Sequence, residues 1–204
     1  MLSWDAFESF GSFWMRRVYL GLLLALAASP ASAVVIVLGN GTGHQCYVQT
    51  ILDPTPENTQ NALTVCTQAV KDAQAAPESD PYDRAAAFVN RADIYLRLEK
   101  YAAAAEDARD ALAIESDLAP AQVNLGAALV GLQRYDEAMT WLNKVIDANG
   151  GGQDLAYFNR GLAKESMGDI KGAYYDYLKA VEINPKMGVA TEQLTRFKVI
   201  TTPG

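Results

Sequence analysis

YFNRGLAKESMGDIKGAYYDYLKAVEINP, from Tyr157 to Pro185, places Tyr157, Asn159, Gly161, Ala173, Tyr177, Ala180 and Pro185 at offsets that recur twice upstream. The preceding copy runs through Gln122, Asn124, Gly126 and Leu129, then Tyr135, Ala138, Leu142 and Val145. A further copy runs through Phe88, Asn90, Ala92 and Tyr95, then Tyr101, Ala104, Ala108 and Ala111, 34 residues earlier at each position. The last step is 35 because Asn149-Gly150-Gly151-Gly152 adds one residue. Self-similarity at this period predicts stacked supersecondary units. Two antiparallel helices that pack closely need small residues where they cross. Ala92, Gly126 and Gly161 supply these on the first helix of each unit, and Ala104, Ala138 and Ala173 on the second. Phe88, Tyr95, Tyr101, Tyr135, Tyr157 and Tyr177 fill the larger holes. Glycine inside a helix costs about 0.8–1 kcal/mol relative to alanine, so its presence twice at one repeat position points to packing.

These residues resemble the tetratricopeptide repeat (TPR) family, whose pattern sets an aromatic, a small residue, tyrosine, alanine, an aromatic, alanine and proline at fixed offsets. The third copy carries the likeness best. Departures are Arg91 and Arg160 where the family has leucine, Gln122 for an aromatic, Lys164 for tyrosine, and Ser116 and Gly150 for the terminal proline. The resemblance implies an all-α chain, a short right-handed α-solenoid of three helix-turn-helix repeats, with each helix about 12 to 16 residues long. Asp80-Pro81 supplies a start and Asn184-Pro185 a stop. Beyond Pro185, Val189, Leu194, Phe197 and Val199 among polar residues predict an amphipathic capping helix. Glu57 to Ala75 carries Ala62, Cys66 and Ala69 at the spacing of a second repeat helix, with no recognisable first helix before it. The expected division is an export signal over 1–33, an irregular segment over 34–56, a degenerate half-repeat and connector over 57–79, repeats over 80–118, 119–152 and 153–186, and a capping helix with tail over 187–204.

Composition sets the setting. The 204 residues carry a formal charge of −7, which argues against a nucleic-acid surface. Met15-Arg16-Arg17, an apolar run from Val18 to Ala28 and Ala31-Ser32-Ala33 after Pro30 read as an export signal cut between Ala33 and Val34, with Met15 a candidate start. The competing reading is a membrane anchor, since Val18 to Leu38 is 21 residues without a charge. Either way the two arginines keep the N-terminal side in the cytoplasm and the repeats outside. A bacterial periplasm is the expected location, with inner-membrane anchoring the alternative. Cys46 and Cys66, an even number in an exported chain, point to one disulfide worth about 3 kcal/mol. Two buried free thiols are the competing reading.

Val34 to Leu38 followed by Gly39-Asn40-Gly41-Thr42-Gly43 imitates a strand entering a phosphate loop. No second strand follows, and the lysine with serine or threonine of a Walker-type loop is missing. A flexible N-terminus or short edge strand is the expectation, and a nucleotide-using enzyme through Gly39–Gly43 the remote alternative. His44 has no nucleophile near it in sequence, and no catalytic, cofactor or metal residue is assigned. Glu106-Asp107 and Asp136-Glu137 fall on second helices, expected to face solvent.

By the resemblance, first helices line a concave groove that takes extended peptides or helices of partner proteins. Here that groove is Val89, Asn90, Asp93 and Arg97, then Val123, Asn124 and Ala127, then Phe158, Asn159 and Leu162. Asparagine disfavours a helix interior by about 0.5 kcal/mol against alanine, yet every repeat has one at the same position. Two explanations compete: a ladder of carboxamides for a ligand backbone, or bonds to neighbouring helices. The family's clamp for a C-terminal carboxylate needs lysine and arginine, and only Arg97 is near the right face. The expectation is a non-enzymatic scaffold for a protein or peptide partner, without nucleic acid, metal or cofactor. The alternative is a subunit that self-associates as a homodimer or larger oligomer.

Overall fold

A computed structural model describes residues 42–51 and 55–197, which among themselves are all-helical, without a strand. We number the helices α1 (Thr42–Ile51), α2 (Pro56–Ala75), α3 (Pro81–Arg97), α4 (Tyr101–Ile114), α5 (Ala119–Gly131), α6 (Tyr135–Ala148), α7 (Gln153–Ser166), α8 (Ile170–Ile183) and α9 (Gly188–Thr195). Local chemistry starts several of them. The Asp80 carboxylate accepts from the N–H groups of Tyr82 and Asp83 while Pro81 opens α3. Thr55 with Pro56 does the same for α2, and Asp169 accepts from Gly172 at the start of α8.

The turns inside the three repeats share one geometry. Glu99, Gln133 and Gly168 sit at φ of 56°, 60° and 87°. The next N–H closes each turn: Lys100 on Tyr95 O, Arg134 on Leu129 O and Asp169 on Lys164 O, at 2.8, 2.8 and 2.9 Å. This is the Schellman arrangement, in which a left-handed residue lets the chain reverse while satisfying the last carbonyls.

Each helix packs on the next along the chain, and the first helices also pack on one another, α1 on α3, α3 on α5 and α5 on α7. The result is a solenoid of helix pairs. The crossing inside each pair is size-matched. Gly126 faces Leu142 and Gly161 faces Tyr177, and the equivalent positions of the first pair hold Ala92 and Ala108, with Ala108, Leu142 and Tyr177 all buried. A methyl on Gly126 would stand 2.5 Å from Leu142 Cδ2, and one on Gly161 2.6 Å from Tyr177 Cε1. As the second helix gains bulk, the first gives it up. Two apolar clusters result, one around α1 to α3 that reaches Ala111 of α4 and Ala121 of α5, and one from Leu96 of α3 to α9, and Leu112 packs against both.

The N-terminal half differs from the sequence expectation. Residues 34–56 were expected to be irregular and the half-repeat to lack a first helix, but α1 occupies that place, packed on α2 and α3. Its ten residues, TGHQCYVQTI, hold too few apolar positions to announce a helix. Cys46 and Cys66 form a disulfide joining α1 to α2 across a Cα–Cα distance of 4.6 Å. The export signal and Val34 to Gly41 lie outside the described residues, and Thr42 and Gly43, the end of the glycine-rich run, form the first turn of α1. At the other end α9 packs on α8, with Met187, Ala190 and Gln193 buried and Val189, Leu194 and Phe197 against the core; Val199 lies outside the described residues. No helix of the described residues is long and apolar enough to cross a membrane.

Candidate interaction site

The ten residues expected to line an open groove sit on α3, α5 and α7, but most of them lie beneath the surface. Val89, Asn90, Asp93, Val123, Asn124, Ala127, Phe158 and Asn159 are all buried, and only Arg97 and Leu162 are half-buried. The physical cause is that these side chains point along the stack or into it. Val123 Cγ2 comes close to Gly152 at the entry to α7, and the Phe158 ring lies 5.8 Å from that of Tyr177. Asp93 pairs with Arg97 at 2.8 Å, one helical turn away.

The three asparagines divide their hydrogen bonds in a telling way. Asn124 Nδ2 donates to Val89 O across the α5–α3 contact at 3.1 Å. Asn159 Nδ2 donates to Leu155 O of its own helix at 2.9 Å. Bonding to a neighbouring helix therefore explains one half of Asn124, but Asn124 Oδ1, Asn159 Oδ1 and Asn90 Nδ2 are buried with no hydrogen-bond partner. An unmet buried polar atom costs about 1–3 kcal/mol. Three of them at one repeat position form a donor and two acceptors along α3, α5 and α7.

A second set of polar contacts was not expected. Arg91 grips Asp107 through Nε and Nη2 at 2.7 and 2.6 Å, and Arg160 grips Asp176 in the same way at 2.8 and 2.7 Å. Arg160 also donates to Asn143 Oδ1 of α6 at 2.7 Å, and Lys164 adds a contact to Asp176 at 2.8 Å. Both carboxylates are buried. Asp107, expected to face solvent, therefore turns inward, whereas Glu106, Asp136 and Glu137 are exposed. Hydrogen bonding to the aspartates raises the pKa of Arg91 and of Arg160. Burial pushes the Asp107 carboxyl up while Arg91 pulls it back. The signal was present in the sequence. Repeats one and three replace leucine by arginine and carry aspartate 16 residues on, whereas repeat two has Leu125 and Trp141 at these positions.

Tyr177 donates to Glu165 Oε2 at 2.8 Å, and Glu165 Oε1 pairs with Arg196 at 2.5 Å, tying the segment after α9 to α7. His44 is exposed, with its ring 6.4 Å from that of Tyr47. Among the described residues no group of three or more His, Cys, Asp or Glu is placed to hold a metal ion.

Comparison with known proteins follows the same geometry. A sequence profile of the tetratricopeptide repeat matches residues 85–118, 119–150 and 155–187. No curated protein matches the chain in sequence. Among solved structures, a crystal structure of MamA superposes with a TM-score of 0.55 at 19% identity, covering 77% of this chain and 82% of that one. MamA from Desulfovibrio magneticus RS-1 gives 0.53 at 18% identity, covering 78% and 84%. The second TPR domain of human RPAP3, solved with an HSP70 peptide, gives 0.50 at 23% identity, covering 57% of this chain and 97% of that one. At these identities the likeness concerns the fold alone. The helix pairs, their size-matched crossings and the three profile matches place this chain in the tetratricopeptide repeat family.

Proposed function

We propose that this chain is an exported scaffold of a bacterial cell envelope that holds an extended segment of a partner protein along the α3–α5–α7 side. The observation that carries this reading is the set of unmet amide atoms, Asn90 Nδ2, Asn124 Oδ1 and Asn159 Oδ1, repeated at one position of three successive first helices. A peptide backbone offers alternating N–H and C=O groups, the partners these atoms lack. First helices packed about 10 Å apart match three residues of extended chain at about 3.3 Å each, so a ligand of roughly seven residues spans all three repeats, and it meets the amides, buried in the free chain, once the side chains over them part. Arg97 and Leu162 keep part of their surface on α3 and α7 and supply a charge and an apolar contact beside them. The peptide carried by the RPAP3 domain supports the same ligand class. Export is supported by the leader-like N-terminus and by the Cys46–Cys66 disulfide, since such bonds persist in oxidising compartments.

The test is photo-crosslinking in living cells from positions 97 and 162, followed by mass spectrometry of the captured protein. Asn124→Ala combined with Asn159→Ala is expected to reduce capture at least about tenfold, the equivalent of 1.4 kcal/mol, in a variant that keeps its helical circular dichroism. Undiminished capture by the folded double variant overturns the reading.

A further inference from the structure

Cys46 is the only side chain of α1 buried outright among those described; Thr42, Gly43, Tyr47, Val48 and Gln49 are half-buried, and His44 and Gln45 are exposed. A helix of ten residues is too short to persist in water without tertiary support. That support centres on Cys46, beside which Tyr47 packs against the same cluster. Cys46 and Cys66 are both fully buried and belong to one apolar cluster with Val70 of α2 and Ala85, Ala86 and Val89 of α3. A lesser tie is the Thr42 hydroxyl, which donates to Asp72 Oδ2 at 2.5 Å. By contrast, α2 has twenty residues and a buried stripe of Ala62, Cys66, Ala69, Val70 and Ala73, and α3 is buried along most of its length.

We propose that the Cys46–Cys66 disulfide is a redox latch on α1, so that its reduction undocks this one helix and leaves the three repeats folded. The reductant is a dithiol. One of its thiolates attacks a sulfur of the bond, forming a mixed disulfide and releasing the other cysteine as a thiolate, which takes up a proton. The second thiol of the reductant then closes its own disulfide and frees the remaining cysteine. Two electrons and two protons pass to Cys46 and Cys66, and the reductant leaves oxidised. Because both sulfurs are buried, attack waits on transient opening of α1 and the latch answers to the local stability of that helix. Undocking uncovers the apolar side of α3 around Ala85, Ala86 and Val89, at the end of the stack of first helices, and lengthens the face open to a partner. The proposal stands whatever the repeats bind.

Hydrogen exchange with mass spectrometry on the full chain tests it, oxidised and after dithiothreitol, with full reduction verified by the gain of two hydrogens. The expected result is that amide protection over residues 42–51 falls by at least about tenfold on reduction while protection over 101–183 holds, and that reoxidation restores it. Two outcomes overturn the proposal: unchanged protection of 42–51 in fully reduced protein, which means packing alone docks α1, and loss of protection throughout 81–183, which means the bond holds the whole fold. Cys46→Ser with Cys66→Ser is expected to match the reduced state without reductant. Should that variant fail to fold, the reversible measurement on the unaltered chain decides.

Discussion

Replacing Asp176 with alanine removes the common partner of two cations. The carboxylate accepts from Arg160 Nε and Nη2 at 2.8 and 2.7 Å and from Lys164 at 2.8 Å, and its side chain is 5% exposed. Breaking a buried pair by removing one member costs about 3–5 kcal/mol, because the remaining charge is left uncompensated. Arg160 and Lys164 keep 17% and 20% exposure, and Arg160 retains Asn143. Both can turn partly to water, so the expected loss is about 2–3 kcal/mol, below the full penalty. With a urea slope of about 2 kcal/mol per molar, the unfolding midpoint falls by about 1–1.5 M. The chain itself shows how to recover the loss. Repeat two fills the same two positions with Leu125, buried, and Trp141, partly buried against the same core. Arg160→Leu with Asp176→Trp is therefore expected to regain part of the stability, as apolar replacement of a buried pair is often neutral or better, while Lys164, 20% exposed, turns to water. The assay is equilibrium urea unfolding followed by circular dichroism at low and high salt. The reasoning fails if Asp176→Ala moves the midpoint by less than about 0.3 M, the behaviour of a surface pair of under 1 kcal/mol, or if the double replacement is less stable than the alanine variant.

Further outcomes follow from other contacts. Gly161→Ala sets a methyl 2.6 Å from the rigid, buried ring of Tyr177; overpacking of about 1–3 kcal/mol outweighs a helix gain of about 0.8–1 kcal/mol, so the midpoint in the same urea assay falls. Gly126→Ala meets the Leu142 side chain, which can change rotamer, and is expected to cost less. Gln133→Gly relieves a left-handed residue at φ 60°; the relief of about 1–2 kcal/mol exceeds glycine's entropic cost of about 0.5–1 kcal/mol, and thermal unfolding rises by a few degrees. Burial first, and then the nearby Glu165, hold the Tyr177 phenol far above its ordinary value near 10. The folded pKa being raised, this contribution to stability is complete below pH 10 and declines above it, as the unfolded chain gives up a proton that the folded one keeps. Phenolate absorbance should show Tyr177 ionising only with unfolding, and Tyr177→Phe should flatten the alkaline decline; ionisation of Tyr177 in the still-folded chain refutes it.

The repeats were legible because their signal is repeated: Gly126 and Gly161, or Tyr101 and Tyr135, reinforce each other at a fixed separation in a way no single helix pattern does. Helix α1 was not, because a single buried position among its described side chains leaves no period to detect, and its partner in the fold is a cysteine 20 residues away. The depth of the groove positions was not legible. Spacing along a helix gives the face on which Asn124 lies, but how deep that face sits depends on the approach of α3 and α7, which the spacing of α5 does not encode. Arg91 and Arg160 were read singly, as departures from leucine, whereas their meaning lies in the paired change at Asp107 and Asp176. A buried charge is legible only together with its counter-charge.

The alternation of that position, charged in the first repeat, apolar in the second and charged in the third, bears on a hazard peculiar to chains built of similar units. Any first helix resembles the others closely enough to fold against the wrong second helix. If α5 took α8 as its mate, Leu125 would face Asp176 and strand a carboxylate in the core. If α3 took α6, Arg91 would meet Trp141 and find no acid. The two ion pairs thus act as a parity code: neighbouring repeats carry different symbols, and a one-step slip in assembly is rejected by electrostatics.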